Sequence, residues 1–202
     1  MVNMEELLTC DADKLNEISK TLEKDDIPQL IELLMEKNDT IRYRVFLLLQ
    51  NRSLHNNDVY PFWNVFCEKL KSKNSYQRNI GLHLIADNVK WDNDNKFDEI
   101  IDEYLLLLHD DKPITVRQCI QALGKIVPYK IHLHNKIANK IMGIKLSDVR
   151  ETMRKQILLD ILGVLIVIRK YQTTDEIEEY ITNALTGGLL DKKTKNKIES
   201  IL

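Results

Sequence analysis

The stretch PITVRQCIQALGKIVP, residues 113–128, is the template that decides the fold of this chain. Its apolar side chains recur at steps of three and four residues: Val116, Cys119, Ile120, Leu123, Ile126 and Val127. This spacing predicts a helix with one apolar face. Pro113 suits the first turn of such a helix, and Pro128 prevents its continuation.

An arginine follows the first apolar position of this helix, and the same arrangement returns along the chain. Arg42 opens RYRVFLLLQ, Arg78 opens RNIGLHLIA and Arg154 opens RKQILLDIL, while Arg117 belongs to the template itself. The successive separations are 36, 39 and 37 residues. A repeat of roughly 35–45 residues that holds two helices is typical of an α-solenoid. We therefore predict an all-α fold of about five stacked helical hairpins.

Composition agrees with a helical protein. The 202 residues are 44% hydrophobic and 30% charged, with only six glycines, four prolines and 6% aromatic residues. So few turn-forming residues disfavour an all-β fold. The formal net charge of -2 disfavours a protein that follows a phosphate backbone over its whole surface.

The cysteines and the N-terminus predict a cytoplasmic location. Cys10, Cys67 and Cys119 form an odd set without paired spacing, which favours a reducing compartment. The acidic opening MVNMEELLTCDADK lacks the basic segment followed by an apolar segment that a signal peptide has. The longest apolar run, 157–168, is too short to cross a membrane, so no membrane association is expected.

The chain divides into repeats without a linker or a low-complexity segment, so we predict one domain over 1–202. An N-terminal cap is expected over 1–25, with helical structure within 3–22. Four core repeats are expected over 26–170, and a closing pair over 171–202. The predicted helix pairs are 26–37 with 40–52, 59–72 with 75–90, 97–109 with 113–128, 132–145 with 149–170, and 175–186 with 191–202. Asp39 is the predicted N-cap of one second helix, and Asn74-Ser75 is predicted to cap another.

The segment 157–168 is apolar around almost its full circumference. A helix of this kind must be covered on every side. We expect the closing pair to supply that cover. If it does not, the uncovered face is a site for a partner or for a homodimer through 157–168.

The segment Pro113–Val127 resembles the second helix of a HEAT repeat in its apolar-Arg opening, its Ala-Leu-Gly and its trailing Lys-Ile-Val. The resemblance implies a right-handed α–α superhelix that serves as a scaffold or binding surface. Gln77 departs from the pattern, because an apolar residue usually stands there. Bacterial alkylpurine DNA glycosylases are also built from HEAT-like repeats, which leaves a DNA-binding or base-excising relative as the alternative. No catalytic residue is carried over from them.

The four equally placed arginines have two interpretations. They are either a row of donors for phosphates or for the acidic chain of a partner, or an inter-repeat ladder. In the ladder, each arginine bonds a carboxylate or a helix-end carbonyl of the neighbouring repeat. We favour the ladder. Asp160 interrupts the apolar run and would be costly to bury unless paired. It is either a catalytic or ligand-binding carboxylate or, as we favour, the partner of an arginine such as Arg117.

Polar residues near the arginines on the second helices predict a partner-binding concave face, with a plain solvated face as the alternative. The candidates are Tyr43, Gln50, Asn79, His83, Gln118, Gln121, Lys125 and Lys155.

Other polar groups predict no cofactor, no metal site and no catalytic set. His109, His132 and His134 have no metal-binding spacing and are expected at the surface. The acidic segment 92–103 and the basic segment 192–197 are expected to be solvated, or to steer a partner of opposite charge. The sequence thus favours a non-catalytic protein-protein interaction scaffold or adaptor. A protein partner is predicted, with nucleic acid as the alternative.

Overall fold

The computed structural model describes the backbone of residues 12–202 and the side chains of residues 14–202. Within that range the chain is helical and contains no strand. The α-helices are α1 (Ala12–Thr21), α2 (Ile27–Leu33), α3 (Asp39–His55), α4 (Trp63–Leu70), α5 (Ser75–Asn88), α6 (Lys96–Leu106), α7 (Pro113–Ile126), α8 (His134–Met142), α9 (Glu151–Arg169), α10 (Asp175–Thr186) and α11 (Lys192–Glu199). The all-α prediction is confirmed, and α2 to α11 form the five expected hairpins.

The ends of the second helices are set by local side chains. Asn74 caps α5 by accepting a hydrogen bond from the backbone N–H of Tyr76, as predicted. Asp39 is not the cap of α3. Asn38 holds that position, and its side chain accepts from the N–H groups of Thr40 and Ile41. A cap accepts from the second or third residue after it, so a shift of one residue exchanges cap and first helical residue.

The chain divides into two compact units, residues 1–99 (unit 1) and residues 100–202 (unit 2), and the boundary falls within α6. In unit 1, α1 and α5 pack against α3, and α4 packs against α5. The core of this unit contains Leu30, Val45, Leu49, Trp63, Phe66, Ile80 and Leu84. Gly81 allows the close approach of α5 to α4, since a Cβ there would lie 2.7 Å from the Phe66 carbonyl oxygen.

A buried arginine joins α1 to the rest of unit 1. The Arg52 guanidinium donates to Asp58 Oδ2 at 2.7 Å and to the Ser19 carbonyl oxygen of α1 at 3.1 Å. Leu15 and Leu22 are also buried. The part of the predicted N-terminal cap that precedes Ala12, including Cys10, lies outside the described residues.

The acidic segment contains a structural carboxylate at its start. Asp92 is buried and accepts hydrogen bonds from the backbone N–H groups of Lys96 and Phe97 at 2.8 and 2.9 Å, which caps α6. It also accepts from the hydroxyl of Tyr60 at 2.8 Å. Burial, and then this hydrogen bond, raise the pKa of Tyr60 well above its usual value. The expectation of a solvated acidic face is therefore wrong for Asp92.

In unit 2, α7, α8 and α10 pack against α9. The core is continuous along α9, where the buried side chains are Ile157, Leu158, Ile161, Leu162, Val164, Leu165, Ile166 and Ile168. Leu159 and Val167 are half-buried. The apolar segment is thus covered within unit 2, so the uncovered face that would have indicated a homodimer is not present. The dimer itself remains an untested prediction.

Each hairpin packs against the next in chain order within its unit, which is the sequential packing of an α-solenoid. One domain over 1–202, with its division into cap, core repeats and closing pair, stays a prediction. So does the right-handed superhelix. No helix among residues 12–202 has the length and apolar character needed to span a membrane.

Candidate functional site

The predicted binding residues of unit 1 lie on α3 and α5. Tyr43 is 51% exposed, while Gln50, Asn79 and His83 are half-buried. The side-chain amide of Gln50 donates to Asp87 Oδ2 of α5 at 2.5 Å, so it joins the two second helices. Gln50 is therefore a structural residue as well as a surface one.

Tyr43 stands at an open groove of about 510 Å³ between α1, α3 and α5. The lining is mainly apolar and consists of Leu15, Asp39, Thr40, Tyr43, Arg44, Leu47 and Tyr76. The Arg42 guanidinium lies 4.4 Å from the centre of the Tyr76 ring, a cation–π contact that holds this wall in place. Burial raises the pKa of Tyr76. We call this feature the Tyr43 groove.

The equally spaced arginines do not share one type of contact. Arg42 donates to the Glu36 carbonyl oxygen at 2.8 Å, and Arg78 donates to the Ser72 carbonyl oxygen at the same distance. Arg154 donates to the Val149 and Ser147 carbonyl oxygens at 2.9 and 3.0 Å. These acceptors belong to the turn within the same hairpin. The prediction that these arginines bond an acceptor in the neighbouring repeat is therefore wrong for these bonds. Each long arginine side chain folds back to unpaired carbonyls that follow the first helix of its own hairpin.

Arg117 reaches the next hairpin. Its Nε donates to Asp160 Oδ2 at 2.6 Å, and its terminal nitrogen donates to Asp160 Oδ1 at 3.2 Å. The amide of Gln121 donates to the same Oδ1 at 3.0 Å. The side chains of Arg117 and Asp160 are 25% and 11% exposed. The predicted pair of Arg117 and Asp160 is present, and the hydrogen bond to Asp160 raises the pKa of Arg117.

The other candidate residues of unit 2 lie on α7 and α9. Gln118 is half-buried, and Lys125 is exposed on α7. Lys155 forms an ion pair with Asp191, the N-cap of α11. That contact, together with the capped backbone N–H of Thr194, holds the pKa of Asp191 well below its usual range.

The predicted surface histidines include one core residue. His134 is buried, and its Nε2–H donates to the Val127 carbonyl oxygen at 2.8 Å. The expectation for His134 is therefore wrong, because its ring is held against the carbonyl of Val127, the residue that follows α7. Among residues 14–202 no group of three potential metal-binding side chains comes together.

Lys69 was missed by the sequence reasoning. It lies on α4 between Phe66 and Leu70, which are core residues, and it is only 5% exposed. Its Nζ donates to Gln77 Oε1 at 2.6 Å. Two signals were available in the sequence: a lysine on the apolar stripe of α4, and Gln77 at a position that is usually apolar.

No protein-family model and no curated protein matches the chain. The fold is similar to the crystal structure of an engineered protein from the Northeast Structural Genomics Consortium, with a TM-score of 0.56 and 14% sequence identity. The alignment covers 100% of this chain and 95% of that protein. At this identity the similarity describes the fold alone.

Proposed function

We propose that this chain is a non-catalytic protein-binding module of the HEAT-like type, which holds its partner on the exposed side of its second helices. The Tyr43 groove carries the proposal. It presents an exposed aromatic ring above a mainly apolar groove. Tyrosine in such a setting is a frequent anchor of protein interfaces, because its large ring is both apolar and able to form a hydrogen bond.

The HEAT type is inferred from the resemblance of Pro113–Val127, and the sequential packing of the hairpins supports it. The partner segment would place an apolar side chain between Tyr43 and Tyr76. Polar groups of the same partner would meet Arg44 and Asp39 at the edge of the groove. Binding surfaces of repeat proteins commonly combine these two elements.

The DNA-binding alternative depended on a row of arginines available for phosphates. Arg42, Arg117 and Arg154 bond groups of their own unit instead. These contacts do not favour phosphate binding, and we do not propose it.

The proposal is tested with two exposed tyrosines of similar accessibility. Tyr43 is 51% exposed on α3, and Tyr129 is 54% exposed in the turn after α7. Wild-type protein, Tyr43→Ala and Tyr129→Ala are immobilised and used to capture proteins from a cell extract. We expect a partner that wild type and Tyr129→Ala retain and that Tyr43→Ala loses, with a fall in affinity of about 30-fold or more for a central aromatic anchor.

A second measurement locates the contact directly. A photo-crosslinking residue at position 43 should capture the same partner, and one at position 129 should not. Equal capture by all three proteins, or crosslinking at both positions alike, would contradict a binding site at the Tyr43 groove. Circular dichroism of each variant confirms that the helices are intact.

A further inference from the structure

Lys69 presents a buried cation that the proposed function does not use. It lies on the face of α4 that packs against α5, where its Cβ is one of the three atoms nearest to a Cβ built on Gly81, at 3.1 Å. The start of the side chain is thereby held in the contact between the two helices. The ammonium group at its end reaches the surface groove described below.

The acceptors of this ammonium group are uncharged. Nζ donates to Gln77 Oε1 at 2.6 Å and contacts Met35 Sδ at 3.1 Å. The Gln77 amide is itself fixed by donating to the Leu34 carbonyl oxygen at 2.9 Å. An ammonium group has three N–H donors. Among residues 14–202 no carboxylate lies within ion-pair distance of Nζ, so its charge is not compensated there.

The surrounding charges do not stabilise the protonated amine. Burial, and then the charge of Arg42 on α3, lower the pKa of Lys69 to about 8. Glu68 and Lys71 pair with each other at 3.1 Å at the rim of the groove, where both are exposed. On α5 the groups that face Lys69 are the neutral Gln77 and Gly81. A buried cation without a counter-charge is costly, and a carboxylate would offset that cost.

An open groove of about 470 Å³ leads to this cation. It is lined by Met35, Val65, Glu68, Lys69, Lys71, Ser72 and Gln77. Met35 and Val65 are exposed apolar side chains. An apolar wall beside one desolvated ammonium is complementary to a carboxylate on a short aliphatic stem.

We propose that this groove is a carboxylate-binding site in which Lys69 pairs with a glutamate side chain of a protein partner. Met35 and Val65 contact the methylene groups of that glutamate, while its carboxylate completes the donors of the ammonium group. The assignment to a protein partner rests on the proposed function. The groove itself is separate from the Tyr43 groove, and its residues are different.

The test uses a capped glutamate, N-acetyl-glutamate N-methylamide, with the corresponding glutamine compound as the neutral control. Both are titrated into protein carrying ¹⁵N-labelled lysine, and the side-chain signal of Lys69 is followed by NMR. We expect saturable binding of the glutamate compound alone. Lys69→Met should abolish it, and Lys140→Met, at an exposed lysine of α8 that does not line this groove, should leave it within about twofold of wild type.

The pH dependence provides a readout that a structural lysine would not give. The carboxylate binds the protonated amine, so bound ligand raises the pKa of Lys69 above about 8. Affinity for the ligand should then fall by about tenfold per pH unit above that pKa, until the pKa of the bound state is reached. Gln77→Glu supplies a carboxylate from within the chain. It should raise the pKa of Lys69 and abolish binding of the glutamate compound.

Several outcomes would overturn the proposal. They are equal binding of the neutral compound, binding that survives Lys69→Met, or affinity that does not change across the titration of Lys69. Tighter binding of free butyrate than of the capped glutamate would instead identify a small-molecule carboxylate site. Tyr43→Ala should bind the glutamate compound normally, so failure at the Tyr43 groove and failure at Lys69 are distinguishable.

Discussion

Removal of the Asp160 carboxylate is the perturbation whose effect the structure specifies best. Asp160→Ala deletes the acceptor of two hydrogen bonds from Arg117 and one from Gln121. It leaves the Arg117 guanidinium, which is 25% exposed, without its counter-charge. The same bonds connect α7 to α9, so the loss falls on the central contact of unit 2.

The magnitude follows from the burial of the pair. Breaking a buried ion pair costs about 3–5 kcal/mol, and a hydrogen bond to a charged group contributes about 1.5–3 kcal/mol. Because water regains access to part of Arg117, we expect Asp160→Ala to lower the free energy of unfolding by about 2–3 kcal/mol. For a chain of this size that corresponds to a fall of about 5–10 °C in the melting temperature.

The assay is thermal and urea unfolding followed by circular dichroism, with two comparison variants. Arg117→Met combined with Asp160→Leu replaces the pair by apolar groups and should recover most of the loss, because no charge is left unpaired. Lys155→Met breaks the exposed ion pair with Asp191 and should leave the melting temperature nearly unchanged. An unchanged melting temperature for Asp160→Ala, or a double variant no more stable than the single one, would show that this pair does not stabilise unit 2.

Three further predictions follow from the packing and capping of the helices. Gly81→Ala places a methyl group 2.7 Å from a backbone oxygen of α4 and should lower the free energy of unfolding by about 1–3 kcal/mol. Gly163→Ala adds a methyl group with no atom within 4 Å, on the exposed surface of α9, and should raise that free energy by about 0.5–1 kcal/mol. Urea unfolding measures both, and equal effects would contradict the difference in packing. Asp92→Ala removes the cap of α6 and the partner of Tyr60, and it should lower the free energy of unfolding by about 2 kcal/mol. The substitution Asp94→Ala, at an exposed neighbouring residue, should change it by less than about 0.5 kcal/mol. A similar loss in both variants would argue against the cap. The pKa of Lys69 is lower in the folded state than its ordinary 10.5, so the unfolded chain binds more protons between about pH 8 and 10.5. The free energy of unfolding of wild type, relative to that of Lys69→Met, should therefore rise with pH across that window. A constant difference would show that the amine is not desolvated.

The periodicity of the chain predicted the helix pairs because the signals are local. A helix displays its apolar face at steps of three and four residues, and a cap such as Asn74 acts on N–H groups two or three positions away. The same logic predicted that Asp160, alone in an apolar run, requires a charged partner. Arg117 was a reasonable choice of partner since it stands one repeat earlier.

Tertiary structure decided which polar side chains are available for binding. Gln50 and Gln121 look alike in sequence as polar residues of second helices, yet each donates to a carboxylate of the following second helix, 37 and 39 residues away. Lys69 and Gln77 are polar residues at apolar positions, and only the approach of α4 to α5 brings them together.

What the sequence determined by itself was therefore the series of amphipathic helices, their turns and their pairing into hairpins. The tertiary structure decided which carbonyls Arg42 and Arg154 reach, the burial of His134 and the uncompensated charge of Lys69. The physical reason is range: helix formation depends on neighbours within one turn, whereas burial and charge pairing depend on residues that only packing brings within a few ångströms.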